Sequence, residues 1–225
     1  MSAISSVPAD FAFLGNRRYV QGAAMFAAMA DAIERVATGA PALAVDQFVV
    51  RAELSDTDGV VEVCEGSALP DDGRDPVALL RAHAGGAAYI GLVHEAPGTT
   101  ITGHEERDRG DEIVAAASLS GPFSGSAVMR GVENADELVR GIVETTKQLH
   151  MQTLDGRNPS IRWVSMQGFV LPYGLPPQPE LAIEEELAGD LHRGNLRFTR
   201  VRFRVQGAPQ PLSGRIGFSF LAERA

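Results

Sequence analysis

Two long helices are predicted from the sequence. In residues 22–36 large apolar side chains recur every three or four positions, and alanines fill most of the other positions. This pattern predicts a helix that other backbone encloses on several sides. A second helix is predicted from residue 135 to about residue 151, because Asn134 is a favourable N-cap residue and Asp136 and Glu137 follow in the first turn.

Most other apolar residues lie in short runs that are typical of β-strands. In the first half, two such runs flank a turn-forming SDTDG segment and predict a hairpin: residues 42–54 and 60–65. A short helix is predicted over residues 75–84, since Asp75-Pro76 favours a helix start and Gly85-Gly86 a helix end.

The second half contains six strand-like runs, with a polar segment predicted as a loop at 98–111: residues 88–95, 112–119, 161–171, 181–187, 195–205 and 212–221. The alternation changes phase near Thr199, which predicts a β-bulge. Each half therefore has one long helix and antiparallel strands, and the predicted fold class is α+β. A boundary at Gly85-Gly86 gives an N-terminal unit, 1–85, with too few strands to be complete, and a C-terminal unit, 86–225.

Several segments resemble one enzyme family. Residues 142–148 (IVETTKQ) resemble its helix pattern, apolar-apolar-Glu-x-x-x-Gln, and residues 13–22 (FLGNRRYVQG) resemble its His-Phe-x-Gly-x-Pro-x-x-Pro-Gly entry into a helix. Residues 89–98 followed by 112–123 resemble its first two strands and the Pro-Phe after them, and residues 168–221 resemble its last strands. The family is that of bacterial 3-hydroxyacyl-carrier-protein dehydratases, whose hotdog fold wraps an antiparallel sheet around a central helix. The resemblance implies a tandem, or double, hotdog with degenerate catalytic motifs, and the first unit incomplete.

The resemblance also implies site residues. Family dehydratases set a His of one hotdog, which removes the α-proton, against a Glu or Asp on the neighbouring hotdog's helix, which assists departure of the hydroxyl. Glu144 stands at the acid position, and Gly22 stands at the glycine whose N–H polarises the thioester carbonyl. The His position falls on or near Phe13 in the first half and near Ser126 in the second, so no complete dyad is visible.

Three explanations for the missing histidine stay open. Another histidine of this chain could supply the base; His94, which ends a strand, is the candidate included in the catalytic set, beside His104 and the less suitable His150. A catalytic hotdog subunit could supply it in a hetero-oligomer. The reaction could instead be thioester hydrolysis, as in hotdog thioesterases in which a helix carboxylate acts as nucleophile or base without a paired His.

Substrate or carrier binding is assigned to Arg17, Arg18, Tyr19 and Gln148. The two arginines could hold a phosphopantetheine phosphate or the acidic surface of a carrier protein. The alternative to a catalytic role for Glu144 is a structural one, in which Arg140, Glu144 and Gln148, spaced four residues apart, form a solvated stripe on the helix.

Other charged segments have ordinary explanations. Residues 184–186, three consecutive glutamates, are expected to be solvated. The arginine cluster between 193 and 204 is interpreted as the wet face of an edge strand, with an acidic docking partner as the alternative.

Composition excludes several function classes. The 225 residues carry a formal charge of −9, and the pI is about 5.0, which argues against nucleic-acid binding through phosphates. No apolar stretch is long enough to span a bilayer, no secretory signal is visible, and the single cysteine rules out an internal disulfide framework. We expect a cytoplasmic protein without a metal site and without a cofactor of its own.

The predicted function is acyl-thioester processing in fatty-acid or polyketide-type biosynthesis, with the substrate carried on acyl carrier protein or coenzyme A. Dehydration by a lyase is the first hypothesis, which a partner subunit could be needed to complete. A thioesterase that uses Glu144 is the second. A non-catalytic assembly partner of a catalytic hotdog subunit is the third, and a homodimer is an alternative to a hetero-oligomer.

Overall fold

The structure is a computed structural model, and it describes residues 5–14, 19–55, 57–71, 73–105, 109–154 and 161–221. The chain divides into two compact units. The first consists of residues 1–108 with 170–173, and the second consists of residues 109–169 with 174–225. None of the described helices is long and apolar enough to cross a membrane.

The first unit contains one long helix and an antiparallel sheet, beside a short parallel ribbon. Its elements are β1 (Ser5–Ala9), β2 (Ala12–Leu14), α1 (Gly22–Val36), β3 (Ala42–Val50), β4 (Gly59–Glu65), β5 (Ala78–Ala84), β6 (Ala87–Glu95) and β7 (Gly103–Glu105). The sheet order is β1-β4-β6-β5-β3, and β2 pairs with β7 in the ribbon. A later strand, β11 (Phe169–Pro172), also pairs with β3.

Helix α1 lies on one face of this sheet, as its apolar spacing predicts. Met25, Met29 and Ile33 are fully buried, and the rings of Phe26 and Phe48 meet edge to face at 5.3 Å. Gly91 of β6 permits the close approach, because a Cβ there would lie 3.0 Å from the Cβ of Met29.

Three predictions for the first half are wrong. Residues 78–84 form a strand rather than a helix, and Gly85-Gly86, with φ of +59° and +87°, makes a two-residue hairpin turn to β6. The runs predicted as a hairpin are both strands, but β3 pairs with β5 and β4 pairs with β1 and β6. Five of the unit's described strands lie in one sheet, so the expectation of too few strands is wrong. Contacts divide the chain into its two units after residue 108.

The second unit also combines one long helix with an antiparallel sheet. Its elements are α2 (Arg109–Ile113), β8 (Val114–Gly121), β9 (Ser124–Val132), α3 (Ala135–Thr153), β10 (Ile161–Gln167), β12 (Gln178–Arg193), β13 (Leu196–Gln206) and β14 (Leu212–Leu221). The sheet order is β10-β14-β13-β12-β9-β8. Helix α3 begins where the sequence predicts, because Asn134 Oδ1 accepts a hydrogen bond from the Glu137 N–H at 2.9 Å.

Two details of this sheet differ from the prediction. The bulge that was predicted near Thr199 of β13 lies instead on the paired strand β12, where the register shifts between Leu187 and Gly189. The arginine-rich strand β13 is central, since it pairs with β12 on one side and β14 on the other. The interpretation of its arginines as edge-strand protection is therefore wrong.

Candidate functional site

Glu144 lies near the middle of α3 and is only 5% exposed. Its Oε2 accepts a hydrogen bond from Lys147 Nζ at 2.7 Å, and its Oε1 accepts one from Gln148 Nε2 at 3.1 Å. Arg140, one turn earlier, bonds Asp136 at 2.9 Å. The carboxylate is thus enclosed and fixed in place rather than part of a solvated stripe.

Gln148 connects Glu144 to the neighbouring strand. Its Oε1 accepts the backbone N–H of Ala117 at 2.9 Å, and its Nε2 donates to the carbonyl of Val114 at 3.2 Å. Strand β8 shifts its register between these two residues, so the glutamine side chain satisfies backbone groups that the ladder leaves unpaired. Gln148, assigned from the sequence to substrate binding, is therefore placed to orient the Glu144 carboxyl.

The environment of Glu144 has opposing electrostatic effects. Burial raises the pKa of its carboxyl, and the nearby Asp111 carboxylate acts in the same direction. The Lys147 ammonium and the Gln148 hydrogen bond oppose this rise. Burial prevails, so Glu144 holds a proton more readily than an exposed glutamate.

Gly22 is the first residue of α1 and is half-buried. The preceding Gln21 makes no side-chain capping bond, and the first turn contains no acidic residue. A helix start of this kind presents backbone N–H groups that have no partner within the helix. Tyr19 is 37% exposed, whereas Arg17 and Arg18 lie outside the described residues.

His94 belongs to the first unit, whereas Glu144 belongs to the second. It is 4% exposed and, three residues from the helix-facing Gly91, points to the face of the sheet away from α1. There it lines a cavity of about 540 Å³ with Arg51 and Arg74, among other residues. Its Nε2 lies 3.9 Å from Glu62 Oε2.

Another histidine, His104, is paired with Phe13, the residue at which the resemblance places the family's catalytic histidine. In the parallel ribbon of β2 and β7, His104 lies directly opposite Phe13. Gly103 allows this close pairing, because a Cβ there would lie 3.0 Å from both the Cβ of Ala12 and the carbonyl oxygen of Phe11. The side chain of His104 is exposed. The sequence alone could not reveal this register, which joins segments about ninety residues apart.

His150 is fully buried among three aromatic rings, those of Phe123, Phe218 and Phe220. Its Nδ1 lies 2.7 Å from the carbonyl oxygen of Thr146, and its Nε2 lies 2.6 Å from Thr199 Oγ1. Burial lowers the pKa of His150 to about 4, so the ring is neutral near pH 7. Nδ1 then carries the proton, and the Thr199 hydroxyl donates to Nε2. His150 therefore packs in the core of the second unit.

Glu185 is a buried acid that the sequence analysis missed. It is 4% exposed, and its Oε1 lies 2.7 Å from the Thr146 hydroxyl. The same hydroxyl lies 2.9 Å from the carbonyl oxygen of Ile142. A hydroxyl has one hydrogen for these two contacts, so a protonated Glu185 that donates to Thr146 satisfies both. Burial raises the pKa of Glu185 to about 8, in agreement with that arrangement.

The alternating pattern contained a signal for Glu185. Leu181, Ile183 and Leu187 share one face of β12, and residue 185 lies on the same face. The sequence analysis treated the three consecutive glutamates alike, as solvated residues. That expectation holds for Glu184 and Glu186, which are exposed, but not for Glu185. Among the described residues, no group of three or more His, Cys, Asp or Glu side chains could hold a metal ion.

Comparisons with known proteins give structural likeness only. No family model matches the chain, and no curated protein matches it. The tesB protein of Mycobacterium avium subsp. paratuberculosis is 11% identical, with 94% of this chain and 91% of that chain covered and a TM-score of 0.50. A conserved protein of unknown function with hot dog fold from Alicyclobacillus acidocaldarius is 11% identical, with 98% and 92% covered and a TM-score of 0.49.

A monomeric dehydratase domain from a trans AT polyketide synthase split module is 10% identical, with 91% of this chain and 90% of that chain covered and a TM-score of 0.49. At such identities a likeness concerns the fold alone. The tesB likeness agrees with the architecture of the two units, each of which packs one long helix against an antiparallel sheet. The predicted α+β class is confirmed, and the chain is a hotdog-fold protein.

Proposed function

We propose that this protein processes acyl thioesters carried on the phosphopantetheine arm of an acyl carrier protein or of coenzyme A. The favoured reaction is dehydration of a 3-hydroxyacyl thioester in fatty-acid or polyketide-type biosynthesis, which the resemblance of residues 13–22 and 142–148 implies. In this proposal the two units are the two hotdogs of a tandem.

The observation that carries the proposal is the enclosed carboxyl of Glu144. A leaving hydroxyl must receive a proton, and a carboxyl whose pKa burial raises is better able to hold one near neutral pH. The hydrogen bond from Gln148 fixes the direction of the carboxyl. Positioning of this kind is what general acid catalysis requires.

We assign the base to His104. It lies opposite Phe13, where the resemblance puts the family histidine, and its ring is exposed. His94 faces away from α1, and both ring nitrogens of His150 are occupied. In the proposed step a base removes the α-proton, the electron pair forms the Cα=Cβ bond, the C–O bond breaks, and a carboxylic acid gives its proton to the departing hydroxyl, which leaves as water. His104 and the N–H of Gly22 are the first unit's candidates for the base and for the donor to the thioester carbonyl, and Glu144 is the second unit's candidate for the acid.

Product analysis tests the proposed reaction. The full chain is incubated with a 3-hydroxyacyl thioester of coenzyme A and, separately, with one on acyl carrier protein. The products are identified by mass spectrometry. A loss of 18 Da, the mass of water, with the thioester intact supports dehydration. Release of the free acid supports hydrolysis. Absence of either product from the chain alone and from the chain purified with its native partners contradicts the proposal.

Variants test the base. His104→Ala should lower the rate of dehydration at least a hundredfold, within the usual contribution of a general base. His83→Ala is the matched control, because His83 is also an exposed histidine of the first unit. Phe13→His in the His104→Ala background should restore part of the rate, since the two positions face each other. Equal rates for the two alanine variants would remove His104 from the mechanism.

Lys147 supports thioester hydrolysis as the second candidate. Its ammonium lies 2.7 Å from the Glu144 carboxylate and favours the ionised form. An ionised carboxylate is the form that attacks a thioester carbonyl or activates a water. Lys147→Met should therefore slow hydrolysis, whereas it should preserve or increase a dehydration that needs protonated Glu144.

The third candidate is a non-catalytic subunit that completes a site on a catalytic hotdog protein. The absence of histidine from positions 13 and 126 favours it over a self-sufficient enzyme. Co-purification from the native host tests this candidate. Turnover that appears only after the partner is added supports it, and turnover by the isolated chain contradicts it.

A further inference from the structure

The second unit's sheet carries a row of arginines on the face that points away from α3. Arg200, Arg202 and Arg204 are exposed and alternate along β13 with buried apolar residues. Two of the three face a carboxylate on the neighbouring strand: Arg204 lies opposite Glu184 and Arg202 lies opposite Glu186. Cross-strand pairs of opposite charge stabilise a sheet, so these two arginines have a structural explanation.

Arg200 has no such partner. Its neighbours across the sheet are Gly189 on β12 and Gly217 on β14. No carboxylate of the described residues forms an ion pair with it. The guanidinium of Arg200 therefore lies beside two glycines, and because the glycines have no side chains, a groove is open at this point of the sheet.

The groove encloses about 340 Å³ and is lined by both glycines, by Arg200 and by Ser165 and Ser219, among other residues. A Cβ at Gly217 would lie 2.8 Å from Ser165 Oγ, so this hydroxyl borders the space that the glycine leaves. Ser219 is 2% exposed, and its buried Oγ has no hydrogen-bond partner among the described residues. A buried hydroxyl without a partner is unfavourable unless a ligand or water satisfies it.

The remaining lining groups define the chemistry of the groove. Asp190 contributes the only carboxylate, but Arg197 Nε donates to its Oδ1 at 2.9 Å, and this hydrogen bond is the main reason that its pKa is lowered. Leu191, which is 62% exposed, and Phe198 add apolar surface. The groove thus combines one uncompensated cation, two hydroxyls and an apolar side.

We propose that this groove binds a small ligand in which an oxyanion, either a carboxylate or a phosphate monoester, is attached to an apolar chain. Arg200 and the hydroxyls of Ser165 and Ser219 hold the oxyanion, because charge-assisted hydrogen bonds are the strongest that these groups can form. The chain lies along Leu191 and Phe198. This site is independent of Glu144, which lies on the helix side of the same unit.

Calorimetric titration of the full chain tests the site with three probes: hexanoate, hexyl phosphate and hexanol. We expect at least one of the two acids to bind, and hexanol to bind at least tenfold more weakly. Arg200→Gln should weaken the binding of the acid at least tenfold. Arg204→Gln is the matched control, on the same strand and face but outside the groove, and should change the affinity less than twofold.

Gly217→Ala tests the location independently, because the added methyl group occupies the floor of the groove and should also weaken binding severalfold. Thermal unfolding of each variant verifies that it folds. A difference between hexanoate and hexyl phosphate identifies the preferred oxyanion and supports the proposal. The proposal is overturned if the wild type binds neither acid, if hexanol binds equally well, or if Arg200→Gln and Arg204→Gln have equal affinities.

Discussion

Protonation of Glu185 predicts that the second unit becomes less stable as the pH rises above neutrality. Its pKa is about 8 in the folded chain against an ordinary value of 4.5. Between these two values the folded state keeps a proton that the unfolded state releases, so the free energy of unfolding falls as the pH rises. The whole interval corresponds to about 5 kcal/mol, at about 1.4 kcal/mol for each pKa unit.

His150 acts in the opposite direction at lower pH. Its pKa is about 4 in the folded chain against 6.5 ordinarily, so the unfolded state binds the proton more tightly and stability rises with pH over that interval. The two effects largely cancel between pH 4.5 and 6.5. Above pH 6.5 His150 no longer changes, and the remaining 1.5 units up to the pKa of Glu185 correspond to about 2 kcal/mol.

Urea unfolding between pH 6.5 and 8 measures this loss. The fluorescence of Trp163, the single tryptophan, reports on the second unit because it lies on β10. The wild type should lose about 2 kcal/mol over this range. Glu185→Gln, which keeps the shape of the side chain and cannot ionise, should lose almost none of it.

Glu184→Gln is the matched control, because Glu184 is the exposed neighbour of Glu185 on β12. It should retain the pH dependence of the wild type. If Glu185→Gln retains that dependence too, or if the stability of the wild type does not change over this range, the protonated state of Glu185 is refuted.

Three further substitutions in the second unit should lower stability, each measured by the same urea unfolding at pH 6.5. Asn134→Ala removes the N-cap of α3 and should cost about 1 kcal/mol, whereas no loss would contradict the capping bond. Gly125→Ala places a Cβ against the carbonyl oxygen of Ser118 on β8 and should cost about 1–3 kcal/mol. Gly121→Ala, with its nearest atom at 3.9 Å, should cost much less, and similar losses for the two variants would refute the argument. Thr199→Val removes the hydroxyl that donates to His150 and should cost about 1–3 kcal/mol, and an unchanged stability would show that this hydrogen bond does not matter.

The sequence was most informative where the determinants are local. Helix α3 begins as predicted because Asn134 and the acidic first turn act within one helical turn. The segment 75–84 was mispredicted because Gly85-Gly86 suits both a helix end and a hairpin turn. Pairing with β3 and β6 decides between them, and that pairing involves residues far away in the chain.

The candidate site divides in the same way. The resemblance of residues 142–148 to the family's helix pattern pointed to Glu144, and the structure adds its burial and its bond to Lys147. The proximity of His104 to Phe13 depends on the register of a parallel ribbon, which no local pattern specifies. The groove beside Arg200 likewise depends on two glycines from different strands.

The central claim, that the enclosed Glu144 carboxyl takes part in acyl-thioester chemistry, is tested most directly by kcat/KM of Glu144→Gln relative to the wild type. The measurement uses whichever thioester the wild type converts, with Glu184→Gln as the control. The account predicts a loss of at least a hundredfold for Glu144→Gln, typical of a general acid or base, and a value near that of the wild type for Glu184→Gln. A Glu144→Gln rate within threefold of the wild type would contradict it.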